Sequence, residues 1–283
     1  MMTTSPKFDM KEFIKGFDFS QRSYQDYMQF VCTQGQKENF FSTMLARDLD
    51  IFFASNHPRL FAITEQEDNS KKVTSKGKSE REVKVFSLMS LDTRKSKFDV
   101  AIYDLQDNLT DIIEFKTNRH KYYVTDKMFR NPQDPSLKID SYWEKTFIDI
   151  NICADLKRKD PKRRFWIGTL LYSFQPIRSD LPIGYPQYLG EERESRAKGV
   201  SPTTLEELDK ECLQNCNAFM TFLLEVKNRI PEYVSIAGKM VKSGNTRKIR
   251  LEREDVVCKT VARGEHRGVL VRSDLIFFEL QLP

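Results

Sequence analysis

Asp99 and the triplet Glu114-Phe115-Lys116 are the residues of this chain best placed to do chemistry together; they lie in the stretch Phe98 to Thr117, FDVAIYDLQDNLTDIIEFKT. Two carboxylates and a lysine gathered at one point of a sheet can hold a divalent cation and a hydrolytic water, the equipment for phosphodiester cleavage.

The local pattern gathers them. Phe98, Val100 and Ile102 alternate with Asp99, Ala101 and Tyr103, the period-two signature of a strand. Ile112 to Thr117 is a second β-prone run, and Gln106-Asp107-Asn108 between them is turn chemistry. Pairing about Asp107-Asn108 sets Asp99 opposite Lys116 and Ala101 opposite Glu114. Opposite residues of an antiparallel pair share a face, as do residues two apart on one strand. Asp99, Glu114 and Lys116 therefore converge on one side, with Ile113 and Phe115 turned into a core. A slip of one residue would separate the three groups. Taken alone, the same residues also describe a surface hairpin with solvated charges.

Three surrounding features favour the site. Val83 to Leu91 reads as a preceding strand, Ser141 to Arg158 as a following helix and Arg164 to Phe174 as a further strand. Strand, strand, strand, helix, strand is the order of an α/β sandwich. Upstream, Glu38 to Ser55 is apolar at Phe41, Met44, Leu45, Leu49, Phe52 and Phe53, the stripe of an amphipathic helix. Glu38 falls in its first turn, where the helix dipole favours a carboxylate. Finally, Lys71, Lys72, Lys76, Lys78 and Arg81, then Arg94, Lys95 and Lys97, supply positive charge that a phosphate backbone needs beside carboxylates.

On these residues, from roughly Gln36 to Phe174, the chain resembles the PD-(D/E)xK, or restriction-endonuclease-like, nucleases. Phe98 stands where the proline of the motif's name would be. The resemblance implies an α/β core, a central mixed β-sheet flanked by helices. It would occupy 36–178, after an N-terminal helical segment at 1–35. An α+β extension at 179–283, target-selecting or part of the same domain, would follow. It further implies that Asp99, Glu114 and the backbone carbonyl of Phe115 ligate Mg²⁺ or Mn²⁺, with Glu38 completing the shell. Lys116 would orient the attacking water or help deprotonate it. The activity implied is that of a metal-dependent nuclease, most readily on DNA, in restriction, phage defence, repair or mobile-element processing. The alternative is a catalytically inactive nucleic-acid-binding or assembly module, and RNA is a further possible substrate.

Composition sets outer bounds. The chain has 283 residues and a formal net charge of +5, which permits nucleic-acid binding without demanding it. No apolar run reaches membrane-spanning length, and the N-terminus lacks a signal-peptide layout, so a cytoplasmic enzyme is expected. The five cysteines, scattered and odd in number, argue for a reducing compartment and against a disulfide framework. Cys212 and Cys216 stand one helical turn apart, half a metal site at most. His57, His120 and His266 are too dispersed for a zinc centre, though His120 lies four residues past Lys116.

Elsewhere, residues 8–30 read as one or two short aromatic-rich helices. The helix from Ser141 carries Trp143, Phe147, Ile150 and Ala154 on one stripe, so it should cover the sheet. Lys145 or Lys157 could then reach a phosphate from its other face. It runs into the basic stretch Lys157 to Arg164. Leu205 to Asn228 reads as a helix, and strands are expected near Tyr233 to Ile236, Lys248 to Glu254, Val256 to Ala262 and Val269 to Leu280. Gly238 to Arg250, with Lys239, Lys242, Arg247, Lys248 and Arg250, reads as a basic loop that either contacts nucleic acid or is simply solvated. Expected partners are nucleic acid, no membrane, and a second copy or a defence-system protein.

Overall fold

Arg164–Pro176, RFWIGTLLYSFQP, is aromatic or aliphatic at most positions, as a strand covered on both faces must be. It forms the middle of the sheet. The computed structural model describes residues 8–18, 37–64, 98–106, 108–119, 141–177, 204–236, 239–266 and 268–283. In chain order the elements are α1 (Met10–Gly16), α2 (Lys37–Asn56), β1 (Leu60–Thr64), β2 (Val100–Asp104), β3 (Leu109–Arg119), α3 (Ser141–Lys159) and β4 (Arg164–Pro176). There follow α4 (Leu205–Val226), β5 (Ile230–Ile236), β6 (Lys239–Arg247), a 3₁₀ turn at Arg253–Asp255, β7 (Val257–His266) and β8 (Val269–Glu279).

Six strands form one mixed sheet in the order β1-β2-β3-β4-β8-β7. Only β3 and β4 pair in parallel; the other neighbours are antiparallel. A parallel neighbour requires a crossover, and α3 lies between the two strands in the chain. Strand alternation then divides the core. Ile113, Phe115, Trp166, Leu170 and Phe277 face one layer, where α1 and α2 contribute Phe13, Phe41, Leu45, Leu49 and Phe53. Ile112, Phe165, Ile167, Leu171 and Phe278 face the other, where α3 contributes Trp143, Phe147 and Ile150 and α4 contributes Phe219, Phe222 and Leu223. The result is a curled mixed sheet flanked by helices. No helix among the described residues is long and apolar enough to cross a membrane.

Local chemistry explains several boundaries. Thr204 caps α4 through Glu207 N, and Glu207 returns a bond to Thr204 N, a reciprocal capping box. β7 and β8, from the last third of the chain, complete the central sheet: β8 pairs with β4 from Trp166↔Glu279 to Pro176↔Val269. β1 was not anticipated, being five half-buried residues. The strand expected at Val83 to Leu91 lies outside the described residues.

The stretch read as a basic loop, Gly238 to Arg250, is mostly strand: β6 pairs with β5 from Ile236↔Lys239 to Ile230↔Arg247. The strand expected at Lys248 to Glu254 is instead a single bridge, Arg250↔Gln281, followed by the 3₁₀ turn.

Arg247 also corrects its expected place on a nucleic-acid surface. Its side chain is 3 % exposed, paired with Glu232 and Asp155 at 2.8 Å each, and it donates to the Asn151 carbonyl at 3.0 Å. Asn151 Nδ2 in turn donates to the Pro231 carbonyl at 2.8 Å, so the β5–β6 hairpin is fastened to α3 by buried polar bonds. Arg247→Met is expected to cost about 2 kcal/mol by removing a buried cation's bonds to Glu232, Asp155 and the Asn151 carbonyl; urea denaturation measures it. The Arg247 hydrogen bond holds the Glu232 carboxyl below its ordinary value. That contribution is therefore present above the usual carboxylate range and fades as pH falls through it.

Candidate active site

The β2–β3 hairpin closes early. Asp104 Oδ1 accepts from Gln106 N and Asn108 N at 2.9 Å, and Asp104 Oδ2 accepts from Asn108 Nδ2 at 2.9 Å. An aspartate that collects the donors of its own turn fixes where the strands part. Together with a register shift between Ile102 and Tyr103, this pairs Ala101 with Ile112 and Val100 with Ile113. The expected pairing, Asp99 with Lys116 and Ala101 with Glu114, is thus wrong by two residues. Because side chains alternate with period two, an even shift leaves every residue of β3 on its expected face.

The alternation read through Phe98 breaks at Asp99, which is a bend residue. Val100 and Ile102 face the α1–α2 layer, whereas Phe98 packs in the α3–α4 layer. At the bend the Asp99 carboxylate takes the next ladder donor: Oδ2 accepts from Phe115 N at 2.6 Å. The other backbone group of Phe115 is held as well. Lys116 Nζ donates to the Phe115 carbonyl at 2.8 Å and is ion-paired with Asp149 Oδ2 at 3.0 Å. Glu114, only 3 % exposed, lies between these groups in sequence and on the Lys116 face of β3. Thr169, opposite Lys116 in the parallel register, is also buried.

The Phe115 ring anchors this arrangement from the opposite face. It is fully buried, edge-on to Phe41 at 5.2 Å between centroids. It lies so close over Gly168 that a Cβ there would come within 2.3 Å of Cδ1 and Cε1. Gly168 is therefore required by close approach.

Asp149 was missed by sequence reasoning. It sits on α3 between Ile148 and Ile150, beside the apolar stripe, and its side chain is 4 % exposed. A charge embedded among residues that cover a sheet was the available signal, since buried carboxylates are seldom left unpaired.

The other anticipated residues divide. Glu38 lies in the first turn of α2, but its side chain is outside the described residues, as are Arg94, Lys95, Lys97 and His120. Lys145 is exposed on α3, one turn before Asp149. Lys157 lies two turns beyond Asp149, about 12 Å along the helix. There its Nζ bonds the Arg163 carbonyl at 3.2 Å and approaches Glu279 at 3.7 Å. With Lys11, Lys162 and Arg164 it lines a separate cavity of about 390 Å³ at the start of β4. Lys248 is exposed just beyond β6.

Among the described residues no group of three His, Cys, Asp or Glu is positioned to hold a metal ion. Asp99, Glu114 and the Phe115 carbonyl form a smaller set, composed entirely of hard oxygens. That is the donor chemistry magnesium and manganese accept, with water filling the remaining positions. No protein-family model, no curated protein and no solved structure matches this chain.

Proposed function

We propose that this chain is a metal-dependent nuclease with a restriction-endonuclease-like core, hydrolysing phosphodiester bonds, most readily in DNA. The observation that carries this reading is the Phe115 backbone, held by Asp99 at the N–H and by Lys116 at the carbonyl, with the buried Glu114 beside it. Asp99, Glu114 and the Phe115 carbonyl would hold Mg²⁺ or Mn²⁺, with Glu38 as a further ligand. When bound, such a cation lowers the pKa of a water and offsets charge developing on the phosphoryl group.

The protein's own groups supply position and charge. Asp99 holds the peptide before Phe115 and Lys116 the carbonyl of the peptide after it, so Glu114 and Lys116 on either side keep a set geometry. Lys116, held between the Phe115 carbonyl and Asp149, would bring a hydrogen-bond donor to the site. It orients a water and a phosphate oxygen by donation, in preference to abstracting a proton. Asp149 would serve as a positioning residue, acting through its ion pair with Lys116. Lys145 and the basic residues before Asp99 would meet the nucleic-acid backbone, and restriction, phage defence, repair and mobile-element processing all fit such an activity.

The test is incubation of the purified chain with plasmid, linear duplex, single-stranded DNA and RNA, in Mg²⁺, Mn²⁺ or EDTA. Metal-dependent cleavage of DNA is expected; binding without cleavage of any substrate would instead identify a nucleic-acid-binding module. In the same assay Asp149→Asn is expected to slow cleavage roughly 10–100-fold, the usual cost of losing a residue that orients an active group. Substrate affinity should hold within about twofold, because a positioning residue acts through the chemical step and not through binding.

A further inference from the structure

α4 presents Cys212 and Cys216 on its buried side, one turn apart. Strand β7, the outer edge of the sheet, carries Cys258 as its second residue. The α4 helix packs against β7. Cys216 is buried and Cys258 is exposed. Cys258 stands opposite Ile276 in the strand register, and Ile276 packs with Cys216 in the α3–α4 layer, which puts the two thiols on the same side of the sheet; there they interact with each other, whereas Cys212 interacts with Ser173. An exposed cysteine thus meets a buried one, across the junction of α4 and β7, the last strand of the sheet among the described residues.

We propose that Cys216 and Cys258 form an oxidation site that hydrogen peroxide converts to a disulfide. Cys258 reacts first, because it is the accessible member. Its thiolate sulfur attacks one peroxide oxygen, the O–O bond breaks, and with a proton the products are Cys258 sulfenic acid and water. The Cys216 sulfur then attacks the sulfenic sulfur, the S–O bond breaks, and the Cys216 proton leaves with hydroxide as a second water. Two thiols are oxidised by two electrons, and one peroxide is reduced to two waters. The contact assigns the two roles in the same sense. The Cys216 hydrogen bond lowers the Cys258 thiol's pKa, and that bond together with burial raises the Cys216 thiol's. Cys212 lies one turn away on α4 and interacts with Ser173 instead, which makes it a bystander.

The bond would tie the outermost strand of the sheet to α4. It lies apart from Asp99, Lys116 and Asp149, so it acts on stability and leaves the candidate active site alone; it does not depend on the nuclease reading. Free thiols that pair only under oxidant suit a reducing compartment.

The test treats the full chain with hydrogen peroxide, alkylates the remaining thiols and maps unreduced tryptic peptides. The peptide from Glu211 to Lys227 is expected to be joined to Glu254–Lys259, with fragmentation placing the bond at Cys216 and not at Cys212, which shares that peptide. Dithiothreitol should reverse the link. The melting temperature should rise on oxidation in wild type and not in Cys258→Ser. In Cys216→Ser, dimedone should label Cys258 as a trapped sulfenic acid. Pairing of Cys258 with Cys32, Cys153 or Cys212, a dimer linked through Cys258, or its passage to sulfinic acid with no internal link would each overturn the proposal. The wild-type map decides the matter even where a variant fails to fold.

Discussion

Asp99→Asn is expected to lower the rate of metal-dependent cleavage about a thousandfold, equivalent to about 4 kcal/mol of lost transition-state stabilisation. Asparagine has the same shape, and its side-chain oxygen can still accept the Phe115 N–H that Asp99 holds at 2.6 Å. What it lacks is the negative charge a divalent cation requires. The folded state loses only the difference between a charge-assisted and a neutral hydrogen bond, about 1 kcal/mol. In a chain of this size that lowers the melting temperature by about 2–4 °C. Asp99→Ala removes charge and acceptor together, so it should lose the same activity and distinctly more stability. Initial-rate assays and thermal melts on both variants separate the chemical role from the structural one. A residue that only capped the strand would show the reverse, with Asn nearly as active as Asp.

Gly168→Ala is expected to destabilise the protein by about 1–3 kcal/mol or more, as inserting a methyl group into a filled core does. The new carbon would stand 2.3 Å from two atoms of the Phe115 ring and 3.3 Å from Phe277 Cδ2. The ring has nowhere to retreat: Phe41 meets it edge-on, and it is fully buried. Whatever moves Phe115 also moves the backbone N–H and carbonyl that Asp99 and Lys116 hold, so cleavage should fall along with the urea midpoint. Combining Gly168→Ala with Phe115→Leu should restore part of the lost stability, because the smaller side chain leaves room for the methyl. Additive losses in the double variant would show that the two residues do not collide.

The helices were legible because their apolar residues recur with a period near 3.6. Phe41, Leu45, Leu49 and Phe53 on α2, and Trp143, Phe147, Ile150 and Ala154 on α3, all lie in the core. The two faces of β3 were legible from alternation alone. The hairpin register was not, because it rests on side-chain bonds from Asp104 to its own turn, and propensity carries no information about those. Arg247 read as surface charge because its partners, Glu232, Asp155 and the Asn151 carbonyl, come from a neighbouring strand and a distant helix. Asp149 escaped notice for the same reason: its partner Lys116 lies on another element. β7 and β8 were legible as strands, but their place beside β4 depends on long-range pairing. In the candidate site, residue types were readable from the sequence, while the contacts that organise them, at the N–H and the carbonyl of Phe115, were visible only once the strands were paired.

The central claim is that Asp99 and Glu114, with the Phe115 carbonyl, make a hard-oxygen cation site. Titration of Mn²⁺ followed by electron paramagnetic resonance addresses it without relying on any substrate. Wild type is expected to bind Mn²⁺ saturably and to release it to excess Mg²⁺, and the Asp99→Asn, Glu114→Gln double variant, folded by circular dichroism, is expected to lose that binding. Equal Mn²⁺ binding by the folded double variant would contradict the assignment.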